Sequence, residues 1–381
     1  MLERCGLVKC LLEKLYDAVM LKVPRSADRA GAKRLLINSQ VSQHQLLNSQ
    51  KSEKRGLSKT LLLSAHSAPE IAHSAREAAS LLRAGEVVAV PTETVYGLAC
   101  DALNASAAAK VFAAKERPAF DPLIVHVADA SWIVLMARPA AAAAVLAEEL
   151  AAAFWPGPLT MVLPARDVVP DLVRSGLPTV ALRCSAHPVM TVLLSALGGP
   201  VAAPSANRFG RISPVTAQDV LEELDGRIPL VLDGGLCRHG LESTIVAVED
   251  GRLVLLRPGP VTLEELEKFA PVTCAAPSKT VSAPGMLESH YAPRTPLRLW
   301  PPDAPWPEDA ATSGVLAFGE VDAGFAAAEV LPSDPMQAAP LFFAALRRLD
   351  ACGLARIYAR TISESGLGRA IMDRLRRAAH G

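Results

Sequence analysis

Hydrophobic and polar positions become regular from about Pro69 onward. The stretch "APEIAHSAREAASLLRAG" repeats its apolar positions at helical spacing and stops at Gly85, a residue suited to a helix end. "EVVAVPTETVYGLACDA" predicts a short buried strand that breaks at Pro91 into a turn-rich loop. "NASAAAKVFAAKER" predicts a helix and "PLIVHVA" a strand. Ala140 to Phe154 is an alanine-rich helix with Pro139 at its first turn. Further strands are expected at "LTMVLPA", "TVALRC", "PVAAPSA", "PLVLDGG", "STIVAV" and "RLVLLRPG", with helices at Pro188–Leu197 and Thr216–Leu224. Strands interspersed with helices imply an α/β domain around one large twisted sheet, assigned to residues 68–272.

Both flanks break this pattern. Residues 1–65 hold twelve Lys/Arg against five Asp/Glu, with a polar "INSQVSQHQLLNSQKSEKRG" after a short apolar opening. Leu7 to Val19 has helix-like spacing. The composition predicts a basic, disordered extension with no catalytic part; a start codon placed too far upstream and a targeting segment are the alternatives. In "APVTCAAPSKTVSAPGMLESHYAPRTPLRLW", prolines and small residues without periodicity mark residues 273–296 as a linker. "SGVLAFGE", a helix from Met336 to Cys352 and "RIYART" then predict a small C-terminal α/β domain over 297–381. Its last segment, "GLGRAIMDRLRRAAH", is a basic amphipathic helix expected to pack and to solvate.

Composition narrows the function classes. Lys+Arg and Asp+Glu are both 39, and a net charge of zero argues against wholesale nucleic-acid binding, though not against a local basic pocket. Seven cysteines without C-x-x-C spacing indicate neither a zinc site nor a disulfide framework, and suit a reducing cytoplasm. No protein-bound metal site is predicted. "AAAAVLAEELAAAFW" is interrupted by two glutamates and is too short to span a bilayer, and the chain opens without a cleavable signal pattern. No membrane partner is expected.

The candidate chemistry sits at strand ends. Lys115 and Arg117 close a predicted helix, where cations complement the dipole. Thr92 and Thr94 flank Glu93, Arg183 ends "VALR", and Arg257 ends "LVLLR". Ser205 and Asn207 follow "VAAP", and Ser243 and Thr244 follow "GLE". Loops beyond strand ends are where open α/β sheets bind ligands. Four cations and several hydroxyls suit anionic oxygens, because arginine grips phosphate or carboxylate through two parallel bonds while lysine acts as a point charge. P-loop, Rossmann and nucleophile-elbow patterns are missing, so a nucleotide would bind without them. His126 alternates with Val125 and Val127 and faces away from them, either as a satisfied histidine on a half-buried strand or as a ligand contact.

In order and spacing, "PTETVYGLACDA", "KERPAFDPLIVHV", "FWPGPLTMVLPA", "TVALRCSAHPV", "APSANRFGRISPVTAQDV", "GLESTIVAV" and "LLRPG" resemble the YrdC-like family. The linker "APGMLESHYAPRTPL" and the ending "ESGLGRAIMDRLRRAA" further resemble its long, two-domain form, the threonylcarbamoyl-AMP synthases. The resemblance implies an ATP-dependent adenylation. L-threonine and bicarbonate form N-carboxy-threonine, which attacks the α-phosphate of ATP, carried with Mg2+, to yield threonylcarbamoyl-AMP and pyrophosphate. Downstream threonylcarbamoyl transferase proteins then pass the group to tRNA, which is an indirect partner.

Residue by residue, Thr94, His126, Arg183 and Ser243, with backbone at Ala203, match the threonine-binding positions of that family. Arg117, Asp121, Thr179, Ser205, Ser213, Arg257 and Tyr291 match the ATP-binding positions, and Lys115 with Arg117 forms the pair assigned to catalysis. Asp121 stands where the family commonly has asparagine, and a carboxylate would repel a triphosphate. Either its backbone makes the contact, its side chain pairs with Arg117, or nucleotide binding is weaker; the ion pair is the preferred expectation. The segment around His290 and Tyr291 is expected to act as a lid against water. Two other readings stay open. One is carbamoyl-adenylate chemistry of the hydrogenase-maturation kind, against which the missing cysteine pairs argue. The other is a non-catalytic RNA-binding module, against which an aromatic content of 4% argues.

Overall fold

The computed structural model describes residues 59–275, 290–321 and 324–380. The expectations for residues 1–58 and for 276–289 of the linker lie outside the described residues. The chain runs through β1 (Leu61–Ser64), α1 (Ala68–Arg83), β2 (Val88–Val90), β3 (Gly97–Asp101), α2 (Ala105–Lys115) and β4 (Ile124–His126). Then come α3 (Ile133–Met136), α4 (Ala141–Phe154), β5 (Leu159–Pro164), β6 (Thr179–Arg183), α5 (Pro188–Leu197), β7 (Val201–Ala202) and α6 (Ala217–Leu224). After them follow β8 (Leu230–Asp233), β9 (Thr244–Glu249), β10 (Arg252–Arg257), α7 (Leu263–Leu266) and β11 (Val272–Cys274). These strands form one mixed sheet in the order β1-β8-β2-β3-β7-β4-β6-β5-β9-β10-β11. A second, all-parallel sheet has the order β12-β15-β13-β14, from β12 (Leu297–Trp300), β13 (Gly314–Phe318), β14 (Ala327–Leu331) and β15 (Ile357–Arg360). Helices α8 (Pro335–Asp350) and α9 (Gly368–Ala379) pack beside it.

Four expectations are corrected. Leu61–Ser64 pairs in parallel with β8, so the sheet begins inside the stretch assigned to the extension; a four-residue edge strand carries too little periodicity to stand out beside basic residues. The turn-rich loop after Pro91 contains β3, which returns antiparallel to β2. The first end of the linker is a strand: Val272–Cys274 joins the large sheet, while Leu297–Trp300 opens the small sheet at the expected start of the C-terminal domain. Pro139 stands just before the N-cap Ala140 and so outside its helix.

Period-two alternation splits the large sheet into two faces. On one face Ala89, Leu98, Val125, Met161, Leu182 and Val246 join α2, α4 and the C-terminal helices in the main core. On the other face α1 and α5 cover Val88, Val90, Ala99, Val201, Leu230 and Leu232. Further along that second face the helices stop. Ile124, Val162, Ala181 and Ile245 form a small apolar cluster that contains no helix residue. The site lies on this part of the sheet.

Candidate active site

The residues that flank the apolar cluster at one end of each strand are polar and buried. His126 ends β4 beside Arg183 at the end of β6, since the two are paired in parallel register. Ser243 precedes β9, Arg257 ends β10, and Thr92 and Thr94 lie in the β2–β3 connection. Together with Arg117, Ala203, Ser205, Glu242, His290 and Tyr291, these groups wall one cavity of about 40 Å³. Arg117, Arg183 and Arg257 therefore converge on a single hollow.

Local chemistry explains how Lys115 and Arg117 both turn inward. Asn104 caps the start of α2 by accepting from the N–H groups of Ser106 and Ala107. At its end Glu116 takes a left-handed φ of 55°, which reverses the chain between the two cations. The Glu116 carboxylate stays outside, 2.6 Å from Arg208 and 2.8 Å from Arg227. Inside, the Arg117 guanidinium donates to the carbonyls of Asp121 and Pro122 and lies 2.8 Å from the Asp121 carboxylate. The Asp121 side chain thus faces Arg117 and does not line the cavity. Lys115 does not line it either: its ammonium donates to the carbonyls of Ser205 and Asn207 and so fixes the loop that does. Burial first, and Arg117 second, pull the Lys115 pKa well below its usual range.

The threonine-assigned residues form a second group. Glu93 lies 2.8 Å from Arg183 and accepts from Ser185. Burial works against its charge, yet Arg183 and Ser185 outweigh burial and hold the carboxyl at about 2. His126 is pushed down to about 3 by burial and then by Arg183, so its imidazole is neutral at physiological pH. Both its ring nitrogens are buried without a hydrogen-bond partner among the described residues. Such orphaned groups are costly unless a ligand completes them. Thr94 shares a 2.8 Å hydroxyl contact with Thr92, and Ser243 one of 2.8 Å with Thr160.

On the opposite wall Arg257 donates to the Ser243 carbonyl at 3.1 and 3.0 Å, and Ser213 donates to the Glu242 carboxylate. Tyr291 carries a left-handed φ of 63°, and its buried hydroxyl has no partner among the described residues. Its ring is held between His290 at 4.2 Å and Phe343 of α8 at 5.7 Å. Thr179 is the one ATP-assigned residue placed apart. It begins β6 while Arg183 ends it, roughly 13 Å away at the rise of a strand, although both side chains share a face.

Three contributors were not singled out from the sequence. Glu93 and Glu242 are buried carboxylates set among hydroxyls in "PTET" and "GLEST", and a buried acid demands a cationic partner. Arg374 has a sequence signal as well: it falls on the same helical stripe as Ala370, Ile371, Leu375 and Ala378. An arginine on an apolar stripe must find a partner within the core.

A family model described as "Telomere recombination" (Sua5/YciO/YrdC) matches residues 80–259. Another, described as "Threonylcarbamoyl-AMP synthase, C-terminal domain", matches residues 261–380. A threonylcarbamoyl-AMP synthase of Pyrococcus abyssi is 40% identical over 80% of this chain and 93% of its own length. One of Bacillus subtilis is 40% identical over 82% of this chain and 94% of its own. The crystal structure of P. abyssi Sua5 complexed with L-threonine superposes with a TM-score of 0.75 at 37% identity, covering 84% of this chain and 98% of that one. With both halves matched and relatives aligned over nearly their full length, the chain belongs to the threonylcarbamoyl-AMP synthase family, in its two-domain form.

Proposed function

We propose that this protein is an L-threonylcarbamoyladenylate synthase, which joins L-threonine, bicarbonate and ATP into threonylcarbamoyl-AMP and releases pyrophosphate and the water lost when the amine and bicarbonate form the carbamate. The observation that carries the reading is the convergence of Arg117, Arg183 and Arg257 on one cavity with orphaned His126 in its wall. Arg183 meets the amino-acid carboxylate, whose oxygens compete with Glu93 for the guanidinium. Neutral His126, the hydroxyls of Thr94 and Ser243 and the backbone of Ala203 orient the rest of the amino acid. Arg117 and Arg257, with Ser205 and Ser213, serve the phosphates. Thr179 lies on the same face of β6, within reach of the far end of an extended nucleotide.

In the reacting step a carbamate oxygen of N-carboxy-threonine bonds to the α-phosphorus of ATP. The bond from that phosphorus to the bridging oxygen breaks, and pyrophosphate leaves with the electron pair. Both reactants are anionic, so the arginines offset their repulsion and the charge that grows in the transition state. No enzyme nucleophile takes part, and rate comes from positioning. Mg2+ enters as the ion on the triphosphate. Among the described residues no three His, Cys, Asp or Glu gather to hold a metal, and the lining carboxylate of Glu242 is engaged by Ser213 and Arg374.

A cavity of about 40 Å³ has room for a few waters and not for a nucleotide. His290 and Tyr291 therefore withdraw to admit ATP and return to exclude water from the labile carbamate. The product is a reactive acyl donor, which suits transfer by downstream threonylcarbamoyl transferase proteins to tRNA in the cytoplasm. A non-catalytic RNA-binding surface would display its cations, whereas Arg117, Arg183 and Arg257 are each at most 8% exposed.

Mass spectrometry of a reaction containing ATP, Mg2+, L-threonine and bicarbonate tests the proposal. Threonylcarbamoyl-AMP should appear, and should vanish when threonine or bicarbonate is withheld. Folded protein that binds tRNA tightly but forms no such product would overturn it.

A further inference from the structure

Arg374 lies on α9 in the C-terminal domain, yet it is 0% exposed and reaches Glu242 and Pro258 of the large-sheet domain. Its Nε is 3.1 Å from the Glu242 carboxylate, and Nη1 donates to the Pro258 carbonyl at 2.6 Å. A second carboxylate, Asp373, is 3.0 Å from Nη1. The centre of the guanidinium sits 5.4 Å from the Tyr291 ring, within cation–π range. Glu242 lines the cavity and accepts from Ser213, while Pro258 follows Arg257 directly in the chain. Of the ATP-assigned residues, Tyr291 thus meets this side chain directly, while Ser213 is one contact and Arg257 one peptide bond from its partners Glu242 and Pro258. Most of the threonine-assigned side has other supports: Thr94 leans on Thr92, and Arg183 on Glu93 and the Gly157 carbonyl. Ser243, which follows Glu242 directly and accepts from Arg257, is the member that touches the Arg374 network.

A purely structural account of Arg374 is weak. Removing a charged pair from water costs about as much as the attraction returns, and an apolar side chain of similar volume often packs at least as stably. An arginine engaging carboxylates, backbone carbonyls and an aromatic face does something an apolar residue does not: it fixes the directions of a carboxylate, a strand end and an aromatic ring together.

We infer that Arg374 is a positioning residue for the nucleotide half of the active site, acting through Glu242, the Pro258 carbonyl and the ring of Tyr291. Through it the C-terminal domain completes a pocket built in the other domain. The inference rests on the assignment of that wall to ATP in the proposed function, and it predicts a selective defect. Loss of Arg374 loosens the nucleotide wall and leaves the Thr94 and Arg183 side of the threonine wall as it was.

The test is calorimetric titration of the full chain with Mg·ATP and, separately, with L-threonine. Arg374→Met alone strands the buried Glu242 charge, so Arg374→Met/Glu242→Gln is the main variant and Arg374→Lys the conservative one. The double variant should melt within a few degrees of the parent, bind Mg·ATP at least tenfold more weakly and bind L-threonine within twofold of the parent. Arg374→Lys should recover part of the lost ATP affinity, because one of the three contacts survives a point charge. Equal losses for both ligands, or no loss for either, would show that the residue is merely structural and overturn the inference. A parent protein that does not bind Mg·ATP would sink the proposed function itself, a result distinct from normal binding by the variants.

Discussion

Glu93 and Arg183 stand 2.8 Å apart in a buried wall, and each makes the burial of the other tolerable. Next to them His126 carries the opposite logic, since burial and Arg183 keep it neutral. Its folded pKa of about 3 lies below the ordinary 6.5, so the unfolded chain takes up a proton that the folded chain refuses. The stability contributed is complete above pH 6.5 and is lost progressively as pH falls toward 3. Urea midpoints measured between pH 6 and 4 should fall with acidification, and His126→Asn should flatten that slope by about one proton per molecule. An unchanged slope would mean that His126 is not buried and neutral. The paired cations show how far residue-level reading reaches. Helix periodicity and a basic pair were legible at Lys115 and Arg117. That Lys115 serves two backbone carbonyls while Arg117 faces the cavity depends on the left-handed turn at Glu116, which no propensity dictates for glutamate.

Strand ends deliver the chemistry, and their spacing is set by close backbone contact. A Cβ on Gly259 would stand 2.4 Å from the Thr244 nitrogen and 2.7 Å from the Glu242 carbonyl oxygen. The end of β10 can approach the Glu242–Thr244 segment because this position is glycine. Gly259→Ala should force the two apart, with a loss of about 1–3 kcal/mol in stability. Threonine-dependent ATP–pyrophosphate exchange should drop more than tenfold, because Arg257 and Ser243 shift together. Parent-like denaturation and exchange would show that the segment yields without consequence. Burial on both sides of the sheet explains the long apolar run of β5 and most of β9, whereas β10 alternates buried and partly exposed residues; all three were visible. Strands β1 and β14 were not, since both are short and half exposed, and β3 was hidden behind a run of turn-forming residues. Their pairing partners, far away in sequence, decide that they are strands.

Residues of both sheets share one apolar core. Ile212, Leu241, Val261 and Leu266 belong to the same cluster as Phe342, Phe343, Leu346, Ile371 and Leu375. Gly240, at a φ of 64°, admits α8 so closely that a Cβ would come within 2.6 Å of the Ala339 carbonyl oxygen. Arg347 of α8 reaches back to the Ile212 carbonyl. A core shared in this way predicts one cooperative unfolding transition for residues 59–380, seen as a single calorimetric peak with matching van't Hoff and calorimetric enthalpies. Two separated peaks would refute it. The sequence by itself determined the α/β class, the alternation that buries one face of each strand and the inventory of arginines and hydroxyls at strand ends, because periodicity and residue chemistry are local properties. Only the tertiary structure decided which cations meet in one cavity, that Glu93 and Glu242 neutralise arginines there, and that an arginine more than a hundred residues further along the chain closes the far wall. Those outcomes depend on strand order and domain packing, and electrostatic partnership is fixed by distance in space, which no local pattern encodes.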